Sequence, residues 1–230
     1  MKNGYICDKE TLQAMVKILS AGNSILNQFI SELRDVEIQK DSMRFRRNLE
    51  RLGEIFAYEI SKTLDYEDRE VITPLGIASV PVLSGPPVLA TILRAGLPFH
   101  QGLLNFYDRS DNAFISAFRL HHKDGTFSIN LEYASVPDID NKVVILSDTM
   151  LASGSSMVLA YKELLAHGKP AHTHIVAVVA NVEGLEFVKK SIPRKDITIW
   201  LGVVDDEMTA QSYIVPGLGD AGDLAFGKKH

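Results

Sequence analysis

Cysteine is nearly absent from this chain: among 230 residues only Cys7 carries a thiol. A disulfide framework or a cysteine-built metal site is therefore excluded within one chain. Long apolar runs are missing as well. The start, Met1-Lys-Asn-Gly-Tyr-Ile-Cys-Asp8, sets a charge within a few residues, so neither a signal peptide nor a membrane span is expected, and the cytoplasm is the default compartment. Positive charge is outnumbered, with 24 Lys and Arg against 29 Asp and Glu. A formal net charge of −5 indicates no general nucleic-acid surface. Any phosphorylated ligand must then be held by local groups, which singles out Arg94, Arg119 and helix N-termini. The one basic cluster, Lys189, Lys190, Arg194 and Lys195, follows an expected helix Val182–Ser191 and reads as a solvated helix end complementing the dipole. The segment Asp148 to Ser156 is not a Walker loop, because no Gly-Lys-Ser/Thr follows it, and it is not the dinucleotide Gly-x-Gly-x-x-Gly fingerprint. No Ser-His-Asp or Cys-His arrangement, internal repeat, linker or low-complexity segment stands out. The length suits one α/β domain or a domain with a small cap.

What is present concentrates in two segments. Tyr213-Ile-Val-Pro-Gly-Leu-Gly-Asp-Ala-Gly-Asp223 packs three glycines and a proline around two carboxylates close to the C-terminus. Gly217, Gly219 and Gly222 suggest conformations or close approaches that a Cβ would forbid. Backbone N–H and C=O groups on such a loop suit the edge of a flat polar ligand, and Asp220 and Asp223 add acceptors or metal-side charge. The plainer reading is a Gly-rich turn ending the last strand. The second segment is Val143-Val-Ile-Leu-Ser-Asp-Thr-Met-Leu-Ala-Ser-Gly-Ser-Ser156. Val143 to Leu146 reads as a strand buried on both faces, with Asp148 just past its end. Met157 to His167 reads as a helix closed by Gly168. A strand, a hydroxyl-rich loop and a helix start make a phosphate cradle, because the free N–H groups and partial positive charge of the helix are joined by serine donors. A βα turn with a serine N-cap and no ligand is the alternative.

The chain up to about Leu64 reads helical. Phe45, Leu49, Leu52, Phe56, Ile60 and Leu64 form one stripe, and Asp41 or Ser42 is the expected N-cap. From Val71 the pattern changes to apolar runs. Strands are expected at Val88 to Leu93, Phe114 to Phe118, Val143 to Leu146, Ile175 to Val179 and Ile197 to Val204, with Thr126 to Tyr133 as a hairpin arm and a helix over Leu97 to Tyr107. The alternation of strand and helix predicts an α/β fold with a doubly wound parallel sheet over residues 71–204, an N-terminal helical part over 1–64, and a tail over 205–230, all in a single domain. Ligands in such sheets bind outside the carboxyl ends of the strands. Arg94, Arg119, Asp148 and Asp205 all follow strand candidates and so fall on one rim.

The two segments resemble the uracil phosphoribosyltransferase family. Asp148 to Ser156 is similar to that family's ribosyl-phosphate loop, and Tyr213 to Asp223 to its uracil-binding tail. Ile92-Leu-Arg-Ala-Gly-Leu97 resembles the loop that grips pyrophosphate through an arginine, and Arg119 stands where the family has a second phosphate-contacting arginine. Leu33-Arg-Asp35, Thr73-Pro-Leu75, Glu183-Gly184 and Asp205-Asp206 also match, so the likeness runs from about Ser24 to Gly227. Departures are Thr149 for the usual proline, Ser153 for threonine, Ser155 for a frequent glycine, Leu224 for a common basic residue, and His121-His-Lys-Asp-Gly125 where acidic residues are usual. Ser155 would strain the loop if that position needs a positive φ.

The resemblance implies a type I phosphoribosyltransferase-like fold with a C-terminal base-binding hood. It implies transfer of phosphoribosyl from 5-phosphoribosyl 1-diphosphate to uracil with Mg²⁺, by a homo-oligomer, dimer or tetramer. It assigns the sugar diphosphate to Arg94, Arg119, Asp148, Thr149, Met150, Leu151, Ala152, Ser153, Gly154, Ser155, Ser156 and Asp220. Uracil falls to Ile214, Gly219, Asp220 and Ala221. Arg94, Asp148 and Asp220 are the catalytic set, with Mg²⁺ held by substrate and waters near Asp220. Each has a plainer reading: Arg94 a structural ion pair, Arg119 an exposed strand end, Tyr213 an exposed aromatic. His172 and His174 alternate on one face, but without a third ligand nearby they favour packing over metal. An RNA-binding regulator on the same scaffold and an inactive ligand sensor remain the alternative functions.

Overall fold

The computed structural model describes residues 15–121 and 127–228. Cys7 and most of the His121–Gly125 segment lie outside them. The chain runs through β1 (Val16–Ile18), a 3-10 turn at Leu19–Ala21, α1 (Ile25–Arg34), a second such turn at Ile38–Lys40, and α2 (Ser42–Ser61). A hairpin of β2 (Tyr66–Thr73) and β3 (Gly76–Leu83) follows. Then come β4 (Val88–Leu93), α3 (Gly96–Phe106), β5 (Asn112–His121), β6 (Phe127–Ser135), β7 (Val143–Leu151), α4 (Ser155–Ala166), β8 (His172–Asn181), α5 (Val182–Ser191) and β9 (Ile197–Asp205). The tail holds β10 (Glu207–Met208), β11 (Ile214–Val215) and α6 (Ala221–Phe226).

Seven strands form one sheet in the order β1-β9-β8-β7-β4-β5-β6. All neighbours are parallel except β5 and β6. The connection from β4 leads outward to β5, whereas β7, β8 and β9 build in the other direction, so the strand order reverses between β4 and β7. Crevices of that kind are where doubly wound folds place their ligands. Strand periodicity divides the core. Val88, Ala90 and Ile92 face one layer with α4 and α5, while Leu89 faces the other with α1, α2, α3 and the tail. The expected stripe of α2 is buried: Phe45, Leu49, Leu52, Phe56 and Ile60 pack in the second layer, and Asp41 caps the helix by accepting from the Met43 and Arg44 N–H groups.

Two expectations need correction. The N-terminal part is not wholly helical, because Val16–Ile18 pairs with the open edge of β9 at Ile199–Leu201; so short a run gives little periodicity to read. Residues 71–83 do not belong to the main sheet: they lie in the β2–β3 hairpin, a separate two-stranded sheet. Every residue of β2 is exposed, so burial imposes no alternation. The one antiparallel edge strand of the main sheet, β6, pairs with β5 where the hairpin arm is expected.

Trp200 on β9 is almost fully buried, donates from Nε1 to His174 Nδ1 at 3.1 Å, and lies under Lys17 of β1, whose Nζ is 4.2 Å from the ring centroid. His172 and His174 are thus packed and bonded to Thr198 and Trp200. Among the described residues no group of three His, Cys, Asp or Glu side chains could hold a metal ion. No described helix is long and apolar enough to cross a membrane.

Candidate active site

The crevice between β4 and β7 is stitched by side chains. Thr91 Oγ1 donates to the Ser147 carbonyl at 3.3 Å, and Ser147 Oγ to the Ala90 carbonyl at 3.0 Å. Beyond Thr91↔Ser147 the two strands part, while β7 stays paired with β8 as far as Leu151↔Ala180. Asp148 therefore lies past the end of its ladder with β4 but still inside a strand, a difference from the sequence reading caused by the longer partner β8. Its Oδ1 accepts from the Thr149 N–H at 2.7 Å. Burial pushes the Asp148 pKa up to about 7, a rise opposed by backbone donation from Thr149 and Met150.

Thr149 is fully buried, and its Oγ1 donates to the Ala95 carbonyl at 2.7 Å. That bond ties the Asp148 loop to the loop carrying Arg94, a tie proline could not make. The Leu93–Arg94 peptide is cis. Arg94 extends to the tail: Nη2 donates to Asp223 Oδ1 at 3.1 Å and Nη1 to the Gly227 carbonyl at 3.3 Å. Sequence reasoning took Asp223 for a ligand or metal-side charge and missed this pairing, which spans 129 residues and has no local signal.

Leu151 is buried, and Met150 and Ala152 pack against the second core layer. The hydroxyl loop then rests on α5. Gly184 permits this, since a Cβ there would collide with the Ala152 carbonyl. Gly154 has φ +78 and caps α4 without a side-chain bond. Ser155 opens the helix and is not among the positive-φ residues, so the anticipated strain falls on the glycine before it. Ser153 and Ser155 hydroxyls lie 3.2 Å apart. The first N–H groups of α4, with Ser155 and Ser156, face the C-terminal side of β7 as a helix start suited to an anion.

The tail folds back by a short β10–β11 pair and turns at Val215-Pro216, a cis peptide, and Gly217 with φ +55. A Cβ at Gly217 would strike the Ile214 carbonyl. Asp205, at the end of β9, has both oxygens engaged: Oδ1 with Arg34 Nη2 at 2.9 Å and Oδ2 with the Gly217 N–H at 3.0 Å. It braces the turn and is not a free rim carboxylate. Ile214, Leu218, Ala221 and Ala225 are buried in the second layer, and Arg46 Nη1 donates to the Ala225 carbonyl at 2.6 Å. Gly219 and Asp220 stay exposed, and Asp220 Oδ1 caps α6 through the Asp223 N–H. Tyr213 is 46% exposed. Arg119 lies on β5 opposite Ile129, three residues beyond the last partner of β4, Ser116; its side chain lies outside the described residues.

Bonded contacts join the Arg94 loop to Thr149, next to Asp148, and to the tail at Asp223 and Gly227, and the Ser153–Ser156 helix start follows β7 directly. A model of the family "Uracil phosphoribosyltransferase" matches residues 14–228. A uracil phosphoribosyltransferase of Porphyromonas gingivalis is 53% identical over 211 residues, covering 92% of this chain and 97% of its own. One from Methanothermobacter thermautotrophicus is 37% identical over 190 residues, covering 82% and 86%. Among solved structures, a protein from Aquifex aeolicus superposes with a TM-score of 0.82 at 28% identity, covering 93% of this chain and 98% of that one. The chain belongs to the uracil phosphoribosyltransferase family.

Proposed function

We propose that the chain transfers phosphoribosyl from 5-phosphoribosyl 1-diphosphate to uracil, giving UMP and diphosphate. The observation that carries this reading is the bonding of the Arg94 guanidinium to the glycine-bent tail, at the point where strand order reverses, with the Arg94 loop tied to the end of β7 that leads into a serine-rich helix start. The bond from ribose C1 to the diphosphate oxygen breaks with its electron pair leaving on diphosphate; uracil N1 bonds to C1 and loses its proton. Such a reaction needs no protein nucleophile. It needs two reactants held in line and departing charge stabilised.

In this reading Ser153, Gly154, Ser155 and Ser156 take the 5-phosphate on the start of α4, with Thr149, Met150, Leu151 and Ala152 supplying the loop beneath. Asp148 accepts from the ribose hydroxyls, and Arg94 and Arg119 take the diphosphate. Ile214, Gly219, Asp220 and Ala221 read the uracil edge through backbone groups, a role supported by the buried Ile214 side chain and the exposed Gly219. Mg²⁺ prefers oxygen ligands, keeps several waters, and commonly binds through one or two carboxylates plus substrate phosphates. Asp148 and the exposed Asp220 fit that donor set. When bound, the ion neutralises charge on the diphosphate. We also read the molecule as a cytoplasmic homo-oligomer; the apolar, exposed face of the β2–β3 hairpin supports assembly.

The test is UMP formation with uracil, cytosine, hypoxanthine and 5-fluorouracil in competition. Uracil is preferred over cytosine by about 10⁴ or more, because cytosine reverses the donor–acceptor pattern at N3 and C4. Comparable turnover of cytosine or hypoxanthine refutes the base assignment.

A further inference from the structure

Arg94 meets the C-terminal tail at three places. Beside the bonds to Asp223 Oδ1 and the Gly227 carbonyl, Gly222 lies against the guanidinium, where a Cβ would stand 3.4 Å from Nη2 and 3.9 Å from Nε. Asp223 is itself fixed. Its N–H donates to Asp220 Oδ1 at 2.9 Å, and its carbonyl accepts from the Gly227 N–H at 2.9 Å. The end of α6 is tied to α2 through Arg46 and Ala225. The carboxylate that meets Arg94 is therefore an anchored point. It holds one terminal nitrogen of the side chain, and the Gly227 carbonyl holds the other. The Nε–H is buried and without a partner among the described residues, and each terminal nitrogen carries a second N–H beyond the one bonded to the tail.

Two effects of Asp223 on an incoming diphosphate oppose each other. Its negative charge repels the anion, and its grip aims the guanidinium. Both partners are 35% exposed, so water and salt weaken the repulsion. Aim is not screened in this way, and small misplacements of a contact group lower rates steeply. We propose that Asp223 is the positioning residue for Arg94, so that the segment carrying the base-reading backbone also sets the direction of the diphosphate arm. This rests on the assignment of Arg94 to the diphosphate made above.

The experiment measures KM for both substrates in Asp223→Ala and Asp223→Asn, and calorimetric binding of inorganic diphosphate in a double-mutant cycle with Arg94→Ala. Asp223→Ala raises KM for the sugar diphosphate by roughly ten- to a hundredfold and leaves KM for uracil nearly unchanged. A merely structural role would loosen the tail and raise KM for uracil first. Asp223→Asn keeps an acceptor oxygen and recovers part of the loss; it carries the same comparison should the alanine variant not fold. In the Arg94→Ala background the second substitution adds nothing. A rise confined to KM for uracil, an undiminished Asp223 effect without Arg94, or tighter diphosphate binding by Asp223→Asn overturns the proposal. Unchanged diphosphate binding in Arg94→Ala alone overturns the assignment of Arg94, and the proposal with it, which is a separate failure from the other three.

Discussion

Asp148 carries a carboxyl whose ionisation lies within the working pH range, since burial lifts its pKa to about 7. If the carboxylate orients the ribose, kcat/KM for the sugar diphosphate rises from pH 6 to pH 8, and Asp148→Asn removes that limb while lowering activity throughout. The sign for stability is opposite. A pKa raised in the folded state gives stability that is fully present below the unfolded value and is lost as pH rises through about 7. The Asn variant should therefore melt higher than the parent at pH 8, which a thermal scan at pH 5 and pH 8 checks. Arg94→Ala removes a charge-assisted contact worth about 1.5–3 kcal/mol, or roughly ten- to over a hundredfold in donor KM. Arg94→Lys restores only part, because a point charge cannot keep both the Asp223 and Gly227 contacts of the fork. Wild-type donor kinetics in a folded alanine variant would make Arg94 structural.

At the level of elements, α1 and α2 are locked by a buried carboxylate. Glu32 is 7% exposed and accepts from Arg44 through both oxygens, from Asn48 Nδ2 at 2.7 Å and from Gln28 Nε2 at 3.2 Å. The Arg44 and Asn48 hydrogen bonds hold its pKa down at about 2. This lowered pKa means the stabilisation is present above the ordinary carboxylate range and fades as pH falls toward about 2. Glu32→Gln should destabilise by about 1–2 kcal/mol at pH 7, the loss of charged hydrogen bonds discounted for the half-exposed Arg44. Denaturant unfolding at pH 7 and pH 3 measures it, and an equal loss at both would assign the effect to packing. Strands with two buried faces were legible in the sequence: β4, β7, β8 and β9 follow continuous apolar runs. The β2–β3 hairpin was not, since β2 has no buried face, nor was β1, three residues long. In the site, the serine loop and the glycine-bent tail were visible as local patterns. Arg34–Asp205 and Arg94–Asp223 were hidden because their partners are 171 and 129 residues apart. Thr149 looked like a lapse from a proline pattern until its hydroxyl met Ala95.

For the molecule as a whole, the hairpin is the outlying part. Ile72, Leu75 and Ile77 are 88%, 99% and 70% exposed, an apolar cluster of the kind that can mark an association surface. Ile72→Glu with Ile77→Glu should shift sedimentation toward the monomer while leaving the sheet's circular dichroism intact; an unchanged sedimentation coefficient would remove the hairpin from any interface. The β1 edge of the main sheet offers a different opportunity. The chain has one tryptophan, and it stands opposite Lys17 in the β1–β9 register with that residue's ammonium over its ring. Its fluorescence therefore comes from a single place. Emission should be blue-shifted in the native protein, and Lys17→Ala should alter its intensity without moving the main unfolding transition. A red shift that precedes loss of helical signal on heating would show the edge strand peeling away before the rest, so that the order of unfolding is recorded by light from one indole, without a label.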